Sequence, residues 1–220
     1  MKQSGSARPT VEFFYCLSCP WTYLAFLRLA ETALRTAALI AYRPILAHWL
    51  GPPSERALPY AWLGPDPNVR AYAAKDLADW ARFCSVTIRL PQPWPVHPEL
   101  AQRGAVLAAE AGLARPYLDA MFRAHFAAGR NIAERAVVLE VAAGCGLSGA
   151  AFEAGLTSES TLAALRHNTE ELRARKGFGS PMMFLGSDFY FGHDRMPLLE
   201  VALMRAAERP FLAPGEHGRL

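Results

Sequence analysis

A cysteine placed directly before a proline at the start of a helix is the feature of this sequence with the clearest chemistry. The run at 11–15, VEFFY, predicts a strand, and Pro20 begins a stretch with helical spacing. Cys19 therefore falls at a helix N-terminus, where free backbone N–H groups and the helix dipole favour an anion. We expect the pKa of its thiol to lie below the ordinary value of about 8.5. The alternative is a buried structural cysteine.

Cys16 completes a C-x-x-C spacing with Cys19, which proteins use for redox pairs and for metals. A metal site is disfavoured, because no second C-x-x-C or H-x-x-x-H lies nearby to supply four ligands. A thioredoxin-type pair has its second cysteine one turn into the helix, where this chain has Thr22. A Cys16–Cys19 redox couple therefore stays an open alternative. Cys84 and Cys145 lie in apolar helical contexts, for which we predict core packing.

Two stretches near the end of the chain could hold a charged peptide. Ser180 and Pro181 precede a predicted strand, and a cis bond between them would expose the Ser180 backbone for pairing with an extended thiol peptide. His193 and Asp194 lead into the last helix, where Asp194 could pair with an ammonium group and the backbone amides with a carboxylate. The structural alternatives are an ordinary edge-strand proline and an N-cap aspartate.

The predicted elements that position these residues run in the order β-α-β, a long helical middle segment, then β-β-α. This order predicts an α/β protein in which a thioredoxin-like fold is split by an all-helical insertion. The predicted boundaries are 11–50 and 177–210 for the thioredoxin-like domain, 69–176 for the helical insertion domain, 51–68 for a Pro-rich loop, and 1–10 and 211–220 for flexible tails.

Composition limits the classes of protein that this chain could be. Its 220 residues are 52% hydrophobic with a net charge of +3, which excludes a disordered chain and allows one substantial core. A charge this small, without clustering, predicts no nucleic-acid partner, and no apolar run is long enough to predict a membrane span. The first residues lack the apolar region of a signal peptide, so we expect a cytoplasmic protein with reduced thiols.

The motifs, taken in order, resemble those of the 2-hydroxychromene-2-carboxylate isomerase family and of the related kappa-class glutathione transferases. Both belong to the DsbA-like branch of the thioredoxin superfamily. The family's opening pattern, roughly D-x-x-S-P-Y-x-Y-L-A, reads CLSCPWTYLA at 16–25. Its closing patterns, G-x-F-G-x-P-T-F and F/W-G-x-D-R-L/M, read KGFGSPMMF at 176–184 and FGHDRM at 191–196. The resemblance extends from about residue 11 to residue 205.

This resemblance implies a DsbA-like fold, a homodimer, and glutathione as the cofactor. Cys19 falls on the family's catalytic serine, which activates the glutathione thiol, and Cys16 replaces the usual aspartate. Ser180 would pair with the cysteinyl backbone of glutathione, while His193 and Asp194 would meet its γ-glutamyl end. The residues that the resemblance assigns to the glutathione site are Pro20, Trp21, Ser180, Pro181, His193 and Asp194.

The activity implied is that of a glutathione-dependent isomerase or transferase acting on a small aromatic electrophile. The helical insertion would form an apolar pocket, with Trp21, Tyr23, Trp49 and Trp62 as candidate walls. One alternative is a monothiol disulfide oxidoreductase or deglutathionylase that uses Cys19 covalently. Another is a binding protein that kept the fold and lost the chemistry, for which a Cys19 pKa at or above about 8.5 would be evidence.

Overall fold

A four-stranded mixed sheet lies at the centre of the structure, a computed structural model that describes residues 8–51, 66–92 and 94–208. The strands are β1 (Thr10–Tyr15), β2 (Leu39–Pro44), β3 (Met182–Leu185) and β4 (Asp188–Phe191). The α-helices of the described part are α1 (Pro20–Thr36), α2 (Pro67–Phe83), α3 (Glu99–Glu110), α4 (Ala114–Phe122), α5 (Arg135–Gly144), α6 (Ala150–Gly155), α7 (Glu159–Ala174) and α8 (Met196–Ala206). The predicted α/β class and DsbA-like thioredoxin fold are confirmed.

The register of the sheet brings two distant segments of the chain together. The strand order is β2-β1-β3-β4, with β1 parallel to β2 and antiparallel to β3. Phe14, near the end of β1, lies opposite Met182, at the start of β3. The residues that follow β1 and the residues that precede β3 therefore meet at one edge of the sheet.

Helix α1 begins at this edge and is fixed there by its apolar face. Cys19 is the N-cap residue, with an extended backbone (φ −96°, ψ 118°). Pro20 follows in the first turn, where the missing N–H removes no helical hydrogen bond. Leu24 and Leu29, on the helix, are fully or almost fully buried against the core. The sequence at 19–20 thus defines the start of the helix, and packing holds it against the sheet.

The largest hydrophobic cluster joins the sheet to the helical middle of the chain. It contains Phe13 and Tyr15 of β1 together with Tyr117, Phe122 and Phe126 from the segment that follows α3. The helical segment between β2 and β3 therefore packs directly on the sheet. The predicted domain boundaries stay predictions.

Helix α2 begins at Pro67, two residues before the predicted start of the helical region. Asp66 is its N-cap, and the carboxylate accepts a hydrogen bond from the N–H of Asn68 at 2.8 Å. The remainder of the predicted Pro-rich loop at 52–65, and most of the two predicted tails, lie outside the described residues. None of the described helices is long and apolar enough to cross a membrane.

Candidate functional site

Cys16 and Cys19 lie at the two ends of a tight turn that links β1 to α1. The N–H of Cys19 donates a hydrogen bond to the carbonyl of Cys16 at 3.2 Å. The two residues are only 2% and 3% exposed, and they share an apolar cluster with Trp21, Ala47 and Trp94. Both are free thiols. In the described part of the chain, no three His, Cys, Asp or Glu side chains are grouped so as to hold a metal ion.

Ser180 holds this turn against the segment before β3. Its hydroxyl accepts a hydrogen bond from the N–H of Cys16 at 2.8 Å and is hydrogen-bonded to the hydroxyl of Thr22 at 2.8 Å. Its carbonyl accepts the S–H of Cys19, with 3.4 Å between Sγ and O. The Ser180–Pro181 bond is cis, one of the two possibilities that the sequence left open. Three residues at the β1–α1 connection and the start of α1 are thus each hydrogen-bonded to one residue that lies 158 to 164 positions later in the chain.

The prediction that Cys19 has a lowered pKa is wrong. The pKa of the Cys19 thiol is raised to about 11, mainly by burial of the side chain and also by the nearby Cys16. Hydrogen bonds from the Thr22 side chain and from the Thr22 and Trp21 backbone lower the pKa, as expected at a helix N-terminus, but they do not offset burial. Burial raises the pKa of Cys16 as well. Both side chains are therefore neutral thiols at pH 7.

A cleft of about 370 Å³ opens beside this turn. It is lined by Trp21, Asp76, Trp80, Ser180, Pro181, Phe191, Gly192, His193, Asp194 and Arg195. Five of the predicted glutathione-site residues are thereby brought together: Trp21, Ser180, Pro181, His193 and Asp194. The sixth, Pro20, and the predicted catalytic residue, Cys19, are buried and are not among the lining residues. Cys19 contacts the wall of the cleft through its hydrogen bond to Ser180.

His193 is an aromatic ring enclosed on two sides by tryptophans. Its imidazole is stacked on Trp21, and the Trp80 indole lies at 77° to it, with 4.4 Å between the ring centroids. Burial lowers the pKa of His193 to about 4, although the carboxylate of Asp194 opposes the shift. The imidazole is therefore neutral at pH 7. Its Nδ1 atom is buried and has no hydrogen-bond partner within the described residues, which is unusual for an interior polar atom.

Arg28 supports His193 from the body of α1. Its guanidinium donates a hydrogen bond to the His193 carbonyl at 2.6 Å and lies over the ring of Trp80, 5.1 Å from the centroid. One cation thus connects α1, α2 and the residues before α8. This arrangement fixes both the backbone and the ring of His193 at the cleft.

Sequence reasoning did not assign two residues of α2 to the site. Asp76 and Trp80 are four positions apart and so share one face of the helix. That spacing was a usable signal, but only the packing of α2 against α1 shows which face turns towards the cleft. Phe191, Gly192 and Arg195 belong to the quoted closing motif and were likewise not assigned.

Several predicted residues lie elsewhere. Tyr23 is buried and packs against the rings of Phe122 and Phe126, so it is a core residue and not a wall of the cleft. Trp49 is not among the lining residues, and Trp62 lies outside the described residues. The side chains predicted to be in the core, Cys84 and Cys145, are half-buried instead, because each follows the last residue of a helix.

Comparison with known proteins agrees, over nearly the whole chain, with the family resemblance found in the sequence. Residues 10–204 match the family described as DSBA-like thioredoxin domain. The 2-hydroxychromene-2-carboxylate isomerase of Pseudomonas putida is 27% identical over 202 residues, which cover 89% of this chain and 94% of that protein. A solved structure of a 2-hydroxychromene-2-carboxylate isomerase superimposes with a TM-score of 0.76 at 25% identity, covering 89% of this chain and 95% of the other.

The fold is shared with a disulfide reductase as well. The cytosolic disulfide reductase DsbM from Pseudomonas aeruginosa, solved with GSH, superimposes with a TM-score of 0.55 at 24% identity, covering 88% of this chain and 98% of that one. Solved structures with this fold thus include both an isomerase and a reductase. With the matched residues reaching from the first strand to the last helix, the chain belongs to the family of DSBA-like thioredoxin domains.

Proposed function

We propose that this protein is a glutathione-dependent isomerase of the 2-hydroxychromene-2-carboxylate isomerase type, or a transferase, acting on a small aromatic electrophile. The observation that carries the proposal is the cleft at the start of α1, which gathers Trp21, Ser180, Pro181, His193 and Asp194 from three separate parts of the chain. The named isomerase relatives, which align over most of this chain, support the class of reaction.

The charges of the cleft fit the γ-glutamyl end of glutathione, which carries an ammonium group and a carboxylate. Asp76 and Asp194 supply two carboxylates for the ammonium, and Arg195 supplies a guanidinium for the carboxylate. The buried Nδ1 atom of His193 has no hydrogen-bond partner within the described residues, and a ligand in the cleft would satisfy it. The donor set therefore suits glutathione.

Cys19 acts in this proposal as a hydrogen-bond donor. A thiol whose pKa is about 11 keeps its proton at neutral pH, so its S–H can stabilise a thiolate next to it. When bound, glutathione supplies that thiolate, which adds reversibly to the substrate and allows rotation about a former double bond. The start of α1 adds the positive end of the helix dipole at the same place.

The walls of the cleft suit an aromatic substrate. Trp21, Trp80 and Phe191 present flat apolar surfaces to the cleft, and Phe191 is 43% exposed. Trp80 belongs to the helical middle of the chain and Trp21 to α1. The cleft therefore lies between the helical middle and the thioredoxin-like part, where we propose that the substrate binds.

The covalent alternative, a monothiol oxidoreductase or deglutathionylase, is favoured by the position of Cys19 at a helix N-terminus. The raised pKa of the thiol weighs against it, because the thiolate is the nucleophile. In a non-catalytic binding protein the Cys19 thiol would have the same raised pKa, so the pKa does not distinguish such a protein from an enzyme. A turnover assay does. A cytoplasmic location belongs to this proposal, because a reducing compartment keeps the cysteines as thiols. A homodimer, which the family resemblance implies, belongs to it as well.

Titration calorimetry with glutathione, combined with a turnover assay on 2-hydroxychromene-2-carboxylate, tests the proposal. We expect binding at millimolar or lower concentration, and turnover only when glutathione is present. Asp194→Asn should weaken binding by about ten- to a hundredfold, the value of a hydrogen bond to a charged group. Asp188→Asn, a matched change on the exposed end of β4, should leave binding unchanged. A wild-type protein without glutathione binding overturns the proposal.

A Cys19→Ser variant separates the two roles of Cys19. The hydroxyl keeps the hydrogen-bond donor and removes the covalent nucleophile, so the variant should retain glutathione-dependent isomerisation. Loss of a disulfide-reductase activity in this variant, together with an absence of isomerase activity in the wild type, would instead establish the oxidoreductase.

A further inference from the structure

Two further cavities, of about 510 and 400 Å³, lie along helix α1 and share no lining residue with the proposed glutathione cleft. Ala30, Leu34 and Arg115 line both of them, so the two cavities form one continuous groove. This groove follows α1 from Phe26 to Ala37, a length of about 16 Å at the helical rise of 1.5 Å per residue. An elongated ligand therefore fits the groove better than a compact one.

The walls of the groove are mainly aliphatic. Leu27, Ala30 and Leu34 recur at three- and four-residue spacing, which places them on one face of α1. Leu34 is 75% exposed, the highest value for any large hydrophobic side chain in the described part of the chain. Leu39 of β2 and Val86, which follows α2, line the groove as well. Exposed apolar side chains gathered in a groove are typical of a binding site, and aliphatic walls suit a flexible hydrocarbon chain.

The acidic side chains of the groove have cationic partners, whereas one of its guanidinium groups has no acidic partner. Asp119 forms an ion pair with Arg123 at 3.0 Å, and Glu31 lies 3.9 Å from Arg35. Arg115 is exposed and forms no ion pair with a carboxylate of the described residues. An unpaired cation beside an apolar strip favours a ligand that has both an anionic group and an apolar body.

Two more groups that suit an anion line the same cavity as Arg115. The guanidinium of Arg8 donates hydrogen bonds to the carbonyls of Ala37 and Ala38, which hold it at the end of the groove without neutralising its charge. Burial raises the pKa of the Tyr42 hydroxyl, and Arg115 is close enough to oppose the shift. The hydroxyl is therefore protonated at neutral pH and can donate a hydrogen bond. Two guanidinium groups and a phenol are good partners for a carboxylate, whose oxygens accept hydrogen bonds.

We propose that this groove is a second binding site, whose ligand is a straight-chain aliphatic carboxylate. The carboxylate is held by Arg8, Tyr42 and Arg115, and the hydrocarbon chain lies along Leu34 and Leu27. The aromatic walls of the glutathione cleft suit a flat ring, whereas the aliphatic walls of this groove suit a chain. Because the two sites share no lining residue, the second site does not depend on the proposed isomerase activity.

Titration calorimetry of the full-length protein with hexanoate, octanoate, decanoate and dodecanoate tests the site. Each methylene buried in the groove should strengthen binding up to about fourfold, and the gain should end once the chain is longer than the groove. 1-Decanol, which has the same chain without the charge, should bind at least about tenfold more weakly than decanoate. Equal affinities for decanol and decanoate, or no saturable binding of any of the four carboxylates, would overturn the proposal.

Cys84 reports whether the ligand occupies the groove. It lines the first cavity and is half-buried, whereas Cys145, which is also half-buried, does not line the groove. Saturating decanoate should slow the alkylation of Cys84 by iodoacetamide several-fold and leave the rate at Cys145 unchanged. Glutathione, measured by calorimetry without alkylation, should leave the affinity for decanoate unchanged. Binding that does not protect Cys84, or that glutathione abolishes, places the ligand elsewhere and contradicts the proposal.

Two substitutions with matched controls assign the two halves of the ligand. Arg115→Gln should weaken decanoate binding about tenfold and leave decanol binding unchanged. Arg166→Gln, on an exposed face of α7, should leave both unchanged. Leu34→Gln should reduce the gain in affinity per methylene, while Leu198→Gln, at a leucine of α8 that is 58% exposed, should not. Wild-type affinities in both Arg115→Gln and Leu34→Gln would show that the carboxylate binds at another place.

A second copy of the chain is the competing occupant of an exposed apolar groove. Size-exclusion chromatography with light scattering on the wild type and on Leu34→Gln distinguishes it from a small ligand. We expect the same oligomeric state in both proteins. A lower state in Leu34→Gln than in the wild type would identify the groove as a subunit interface and would overturn the proposal.

Discussion

The imidazole of His193 lies flat against the indole of Trp21, with ring centroids 5.1 Å apart and planes 6° from parallel. The Trp80 ring meets the same imidazole at 77°, so α1 and α2 enclose a residue that lies just before α8. Because the two indoles displace water from around the imidazole, the charged form of His193 is disfavoured. Two tryptophans that are distant from His193 in sequence thus keep its imidazole neutral.

Removing one of these neighbours should restore the ordinary pKa of His193. In Trp21→Ala water reaches the stacked face, so the pKa should rise from about 4 towards the ordinary value of about 6.5. The imidazole carbon-bound protons report this value in an NMR titration between pH 3 and pH 8. Trp49→Ala, which removes a tryptophan outside the cleft, serves as the control and should leave the His193 titration in place. An unchanged pKa in Trp21→Ala contradicts the stacking explanation.

Two buried histidines should make the protein less stable in mild acid. Burial lowers the pKa of both His125 and His193 to about 4, against about 6.5 in the unfolded chain. Between these values the unfolded state binds more protons than the folded state does, so stability is present above pH 6.5 and is lost as the pH falls towards 4. We expect a loss of about 2 kcal/mol per histidine at pH 5, measured by urea denaturation at pH 7 and pH 5.

Substitution identifies the contribution of each histidine. His125→Gln should remove about half of the difference between the unfolding free energies at pH 7 and pH 5, whatever its effect at pH 7. His167→Gln, on an exposed face of α7 where the side chain is 75% exposed, should leave the difference unchanged. Equal pH dependence in all three proteins would rule out this assignment.

The sequence predicted the elements well because each carries a local signal. The strand at 11–15 and the helix from Pro20 were both visible in residue types and spacing. The motifs that carried the family resemblance also named five of the cleft's lining residues. Local signals could not predict the pKa of Cys19. Burial by partners such as Trp94, about 75 positions away in sequence, raises this pKa by more than the helix N-terminus lowers it. The role of Trp80 depended in the same way on how α2 packs against α1.

A glycine in α3 should tolerate no side chain, although it lies inside a helix. A Cβ atom on Gly104 would lie 2.2 Å from the hydroxyl of Tyr117, a fully buried residue whose hydroxyl is hydrogen-bonded to the Ala101 carbonyl. Alanine would gain about 0.5–1 kcal/mol of helix propensity, but overpacking costs about 1–3 kcal/mol and should prevail. Gly104→Ala should therefore lower the free energy of unfolding, measured by urea denaturation.

The matched control is a second helical glycine. A Cβ atom on Gly144, at the end of α5, meets nothing within 4 Å, so Gly144→Ala should be neutral or slightly stabilising. If both variants are stabilised alike, the inference that Tyr117 packs too closely on Gly104 to leave room for a Cβ atom is wrong.

The hydroxyl of Ser180 should contribute to stability. Ser180→Ala leaves the buried N–H of Cys16 without its acceptor and the Thr22 hydroxyl without its partner, which should cost about 1–3 kcal/mol of unfolding free energy. Ser187→Ala, in the exposed turn between β3 and β4, is the matched control and should change stability by less than about 0.5 kcal/mol. Equal stability of the two variants would show that the β1–α1 turn does not depend on Ser180.

The rate at which Cys19 is alkylated should follow a pKa of about 11. Only the thiolate reacts, and below the pKa its fraction rises about tenfold per pH unit. With iodoacetamide and peptide mass spectrometry on the folded protein, the rate should still be rising at pH 10, and circular dichroism checks that the fold persists there. Cys84, which is half-buried and outside the apolar cluster that contains Cys16 and Cys19, gives a comparison within the same sample. A rate that levels off below pH 9 would mean that the helix N-terminus outweighs burial, and would favour a nucleophilic Cys19 over the hydrogen-bond donor proposed for the isomerase.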